Sequence, residues 1–209
     1  MEKLSSFSLL CFLSLAILLH VQPISAVESP NSEPNKATDF IRTKCNATSY
    51  PELCYTSLSG FANAIKEDPA RLAKVAIAVS LSKVKHMANY VANISRQADK
   101  GGNRRLASAL DVCFEEFGGA VDGIRDSLRQ MKRLGRPGQS QSLGFLISNV
   151  QTWMSGALTC QDTCTDALGE IDYDGPVKTD ICDRVVKVYD VTSNALALVN
   201  SFAETVAAP

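Results

Sequence analysis

Between Leu106 and Met131 the apolar residues Leu106, Leu110, Cys113, Phe117, Val121, Ile124, Leu128 and Met131 step by three or four without a miss. That period is the seam of a long amphipathic helix and is incompatible with a strand, whose side chains alternate every second residue. A helix with one apolar stripe has to bury it against others, and the rest of the chain supplies them. Asp68 and Pro69 make a helix start, with the aspartate as cap and the proline in the first turn, and the stripe Leu72, Val75, Val79, Met87, Tyr90, Val91 and Ile94 runs on to about Gln97. His86 lies beside it as a packing or surface residue. Gly101 and Gly102 separate this helix from the seam helix, expected over 104–134. After the loop around Pro137, the run Val150 to Leu168 carries Trp153, Met154, Ala157, Leu158 and Cys164 at helical spacing, although the start of this third helix is open. The fourth is expected from about Val177 to Val206, with Ile181, Val185, Val188, Thr192, Ala195, Leu196, Val199 and Phe202 inward. Four long helices on short loops make an all-α, up-and-down four-helix bundle.

The chain opens with an apolar run from Leu9 to Val21 followed by Ser25 and Ala26, the pattern of a secretory signal peptide cut after Ala26. The run is short for a membrane span, and no second one follows, so no membrane attachment is expected after cleavage. The mature chain holds twenty basic and twenty-one acidic residues, with no basic stripe, which speaks against nucleic acid as a partner. Residues 27–37, rich in Pro, Ser, Asn and Glu, read as a flexible leader, and 38–206 as a single domain. Asn46 and Asn93 each open an Asn-x-Ser/Thr glycosylation sequon.

Secretion makes the cysteines informative, because an oxidising compartment favours disulfides. Cys11 leaves with the signal, and Cys45, Cys54, Cys113, Cys160, Cys164 and Cys182 remain. Cys45 and Cys54 would staple a short helical hairpin ahead of the bundle, a loop closure worth about 2.5 kcal/mol. Two helices that brief are marginal without such a staple. In the hairpin of the second and third bundle helices, a loop ending near Ser140 sets Cys113 opposite Cys160, and one reaching Gly144 sets it nearer Cys164. None of the spacings fits a zinc site. The Asp172 and Asp174 turn lacks the glycine and glutamate of an EF-hand loop, so neither metal nor cofactor is expected.

An enzyme using a nucleophile and base would want a partnered histidine, and His86 stands alone. Glu115 and Asp122 could form an acid–base pair only beside a pocket, and both fall on a helix surface. No catalytic residue is assigned. A helical module holding a small apolar ligand is a third class of function, separable by mass spectrometry of co-purified material.

The run from Trp153 to Cys164, with its Asp162, Thr163, Cys164 motif, resembles the signature of the plant pectin methylesterase and invertase inhibitor family. Three further segments match: Cys45 with Cys54; Ala109, Leu110, Cys113 and Glu115 with Ala120 and Val121; and Thr192 to Leu196. The resemblance implies a four-helix bundle behind a helical hairpin, and a disulfide from Cys113 to Cys164, worth about 4 kcal/mol. Cys160 departs from the common pattern, and with Cys164 taken, a third bridge from Cys160 to Cys182 stays open. The function implied is that of a protein inhibitor in the apoplast, binding pectin methylesterase reversibly and without covalent chemistry, and covering the cleft where methyl-esterified pectin lies. Acid invertase is the alternative target; the Pro-Lys-Phe motif that family members present to it is missing, which favours pectin methylesterase. The resemblance also places the enzyme contact on the second and third helices, at Glu115, Glu116, Asp122, Thr163 and Asp166. Gly119 stands where an acidic residue can occur. Gly118 and Gly119, costly inside a helix, suggest a place of close packing.

Overall fold

The computed structural model describes residues 36–134 and 141–207. The signal segment, nearly all of the leader and the loop at 135–140 lie outside the described residues. The leader boundary moves: Lys36 and Ala37 are already helical, opening α1 (Lys36–Cys45). Pro51 starts α2 (Pro51–Leu58), a 3₁₀ turn follows at Ser59–Phe61, and α3 (Ala62–Ile65) is a single turn that the sequence reading passed over. Cys45 is bonded to Cys54, with Cα atoms 5.5 Å apart. Their sulfurs and Ile41, Leu58 and Ile65 bury the inner side of this hairpin. Lys66, at φ 55°, takes a positive-φ conformation that non-glycine residues rarely adopt, and so ends α3 and swings the chain to the next cap.

That cap is Asp68, whose Oδ1 accepts from the Ala70 and Arg71 amides at 2.8 and 3.2 Å and opens α4 (Pro69–Lys100). Asn103 caps α5 (Arg104–Met131), accepting from the Leu106 amide, and Ser142 caps α6 (Leu143–Gly169), accepting from the Phe145 amide. α7 (Pro176–Ala207) completes the ring. α4 packs against α5 and α7, and α6 packs against the same two, which is the up-and-down bundle. The third bundle helix begins seven residues before Val150. Leu143 and Phe145, 39% and 50% exposed, blur the apolar face there and hid its start from the pattern.

The register of α5 against α6 decides the disulfide. Ser127 Oγ lies 3.5 Å from the Val150 carbonyl, and Cys113 stands as far before Ser127 as Cys164 stands after Val150. The two cysteines are therefore level, and they are bonded with Cα atoms 4.4 Å apart. The optional third bridge is not made, and Cys160 and Cys182 are free thiols. Hydrogen bonds from Gln151 to Asn200 and from Gln161 to Thr192 set the α6–α7 register and place Cys160 level with the Thr192 turn. Cys182 is ten residues away along α7, about 15 Å at the helical rise. A disulfide tolerates Cα atoms no further than about 7 Å apart.

Two polar devices lock the bundle. At its centre the Ser80 and Thr192 hydroxyls meet at 2.9 Å, Thr192 donates to the Val188 carbonyl, and the buried Gln161 amide donates to Thr192 and to the Ala157 carbonyl. Two residues on, Asn194 accepts from the Tyr50 amide through Oδ1 and donates to the Tyr50 carbonyl through Nδ2, clamping the hairpin turn onto α7. Thr192 and Asn194 thus hold the scaffold together.

Candidate enzyme-binding surface

With Cys113 and Cys164 bonded in the core, the residues flanking them on α5 and α6 turn outward side by side. Glu115, Asp122 and Asp126 recur at helical spacing along the outer side of α5, and Glu115 and Asp122 are exposed. Asp122 pairs with Arg125 and Asp126 with Arg129. Such surface pairs add little stability, but they neutralise the field of two of the three carboxylates. Glu115 forms no ion pair among the described residues, so it presents the row's uncompensated charge.

About 100° around α5, Glu116 faces the seam with α6. There it lies near Cys160, and burial followed by the Glu116 carboxylate pushes that thiol up to about 11. A side chain on Gly119 would begin 3.4 Å from Cys160 Sγ, and one on Gly123 only 3.1 Å from the Trp153 carbonyl oxygen. Nothing lies within 4 Å of the same position at Gly118. The expectation of close packing at Gly118 and Gly119 is therefore corrected: Gly119 meets Cys160, Gly118 faces open space, and the tightest contact belongs to Gly123.

Thr163, three residues after Cys160, lies on the same side of α6, half-buried, with its hydroxyl bonded to the Thr159 carbonyl at 3.0 Å. Asp166 has wound a further turn onto the exposed outer side. One turn before it, partial burial and the Asp166 charge hold the Asp162 carboxyl above its ordinary value. Of the five expected contact residues, Glu116 and Thr163 line the seam, while Glu115 and Asp122 on one side and Asp166 on the other form its rims. The Cys160 to Glu116 contact and the role of Gly123 escaped the sequence reading. Their signal was present: Glu116, Gly119 and Gly123 step by three and four, and an extra cysteine sits one turn before the motif cysteine.

His86 is exposed on α4, away from α5 and α6. Among the described residues no three His, Cys, Asp or Glu side chains converge as metal ligands would. The side chains of Asn46, in the hairpin turn, and Asn93, on α4, are exposed. An acidic, small-residue surface on a rigid pair of helices, without nucleophile or base, is suited to docking against another protein.

The family model for the plant invertase/pectin methylesterase inhibitor matches residues 39–198. The chain belongs to this inhibitor family. Pectinesterase inhibitor 9 of Arabidopsis thaliana is 39% identical over 193 residues, spanning 91% of this chain and 93% of that protein. Pectinesterase inhibitor 11 of the same plant is 36% identical over 207 residues, spanning 98% and 99%. The crystal structure of a mutant form of an Arabidopsis pectin methylesterase inhibitor superposes with a TM-score of 0.59 at 18% identity, covering 77% of this chain and 95% of that one. At that identity the structural likeness shows the fold alone. The family is one of protein inhibitors rather than enzymes.

Proposed function

We propose that this chain is a secreted inhibitor of pectin methylesterase in the plant cell wall. The observation that carries the reading is the relationship, over nearly the full length of both proteins, to relatives that are pectinesterase inhibitors. The signal-like N-terminus supports secretion, and among the described residues no helix is long and apolar enough to cross a membrane. The absence of Pro-Lys-Phe supports pectin methylesterase over acid invertase as the target.

The inhibitory surface is the outer side of α5 and α6, with Glu115, Glu116, Asp122, Thr163 and Asp166 as the contact residues. It docks reversibly and covers the cleft where methyl-esterified pectin would lie. The Cys113–Cys164 bridge ties the two helices together directly beneath it, so little ordering entropy is lost on binding. The test is a parallel titration of the mature protein into plant pectin methylesterase and acid invertase. Pectin methylesterase activity is expected to fall and to recover on dilution, with invertase untouched. Loss of invertase activity alone would overturn the assignment.

A further inference from the structure

The near-zero net charge of the chain hides a strong segregation. α4 carries Arg71, Lys74, Lys83, Lys85, Arg96 and Lys100 against Asp99 alone, whereas α6 carries Asp162 and Asp166 and no basic residue. In the ring of helices α4 packs against α5 and α7 and lies opposite α6, so the basic helix stands across the bundle from the acidic one, and the α4–α7 seam lies opposite the proposed inhibitory seam.

That opposite seam holds an open groove of about 370 Å³, part of whose lining is the buried Met87 and Val188; of its polar lining residues Lys83, His86, Tyr90, Arg184 and Lys187, all but the half-buried Tyr90 are exposed. α7 also brings acids near the groove, Asp180, Asp183 and Asp190. Asp180 is already engaged: it accepts from the Tyr90 hydroxyl and from Arg184 Nε at 2.8 Å, while the Arg184 guanidinium lies over the Tyr90 ring. Lys83 and Lys187 form no ion pair among the described residues. Lys83 also borders a second groove of about 600 Å³, where Thr56 and Ser82 offer hydroxyls and Phe61 an aromatic ring 45% exposed. From Val75 to Tyr90 the two grooves follow α4 for about 22 Å.

The geometry points to a binding groove for an acidic oligosaccharide, a chain of sugars bearing carboxylates, along α4 and across Lys83 to α7. Lys83 and Lys187, spaced cations without counterions, suit repeated carboxylates, hydroxyls suit sugar hydroxyls, and the exposed ring of Phe61 suits a sugar ring. A single small anion would use only one end of such a groove. The choice of ligand rests on the proposed function. Pectin methylesterase adds water to each methyl ester and releases methanol and a carboxylate, so its product is such a chain. Holding the inhibitor on demethylated polymer would raise its effective concentration beside the working enzyme, with the inhibitory surface turned outward.

The experiment is affinity electrophoresis of the full mature chain at low ionic strength in polygalacturonate, fully methyl-esterified polymer and polyglutamate. Retardation is expected in polygalacturonate, is absent in the methyl ester and is weaker in polyglutamate. Lys83→Gln with Lys187→Gln weakens the polygalacturonate interaction by about tenfold or more, because two cations facing the ligand are lost. Lys74→Gln with Lys85→Gln removes the same charge from another side of α4 and leaves it nearly unchanged. Equal loss in both variants, equal retardation by polyglutamate, or no retardation at all would overturn the groove. Inhibition of pectin methylesterase is read on the same samples. A chain that binds polygalacturonate without inhibiting would sink the proposed function and leave the groove standing, and the reverse result would do the opposite.

Discussion

Cys160 shows how one side chain reports on the proposed inhibitory surface. In an oxidising compartment a free thiol invites oxidation, yet burial and Glu116 push this one up to about 11, which keeps it protonated well above neutral pH. The thiolate is the reactive form, so alkylation of native Cys160 at pH 8 should run far slower than in the unfolded chain. Glu116→Gln removes the carboxylate that opposes ionisation, and it should therefore speed modification of Cys160 while the helical content holds. Peptide mass spectrometry after timed exposure to iodoacetamide measures both rates. An identical rate in wild type and Glu116→Gln would mean that the two groups do not meet. Gln161, next in sequence, is a different case: its Nε2 donates twice within the core, and its buried Oε1 has no partner among the described residues. Such an orphan costs about 1–3 kcal/mol, a debit the surrounding apolar core has to offset.

The glycines of α5 test how closely the helices pack. Gly118→Ala adds a methyl group in open space and should gain helix propensity worth up to about 1 kcal/mol. Gly123→Ala drives the same methyl against the Trp153 carbonyl, a backbone atom that cannot rotate aside, and overpacking of this kind costs about 1–3 kcal/mol. Urea titrations should move the midpoint up for the first and down for the second; a raised midpoint for Gly123→Ala would show that α5 and α6 can part freely. The sequence carried much of this architecture, and its failures have physical causes. The α5 stripe was legible because Leu110, Cys113, Phe117 and Ile124 face the core at unbroken spacing, and all four are fully buried. The start of α6 was not, because its first turns expose apolar residues. Spacing alone left Cys113 between two partners, since the choice rests on a register that only contacts such as Ser127 with Val150 fix. At the candidate surface the residue types were readable, but the division into seam and rims was not, because it depends on how the two helices are rotated about their axes. The α4–α7 groove was invisible for a similar reason: Lys83 and Lys187 are far apart in the chain, and each alone reads as an ordinary wet lysine.

At the scale of the four-helix bundle, α4 is mostly basic and α6, across from it, is acidic, and the charge on the outer side of α5 can be reversed without touching the core. Glu115 and Asp122 are exposed on α5, neither side chain caps a helix, and the one ion pair involved, Asp122 with Arg125, is a surface pair of small energetic weight. Glu115→Lys with Asp122→Lys should therefore leave helical content and thermal midpoint nearly unchanged. It changes the charge of the proposed inhibitory surface by four and frees Arg125, so a partner steered by negative charge would meet repulsion instead. Charges at the rim of an interface act mainly on the association rate and are screened by salt. The loss of pectin methylesterase inhibition should accordingly appear as slower binding, be largest at low ionic strength and shrink as salt is added. Dissociation, which the proposed contact would leave to the seam residues Glu116 and Thr163, should change less. Stopped-flow or surface-binding kinetics across a salt series separates the two rates. Full inhibition by the folded double variant at low salt would remove this rim from the interface and move the search to the other surfaces of the bundle.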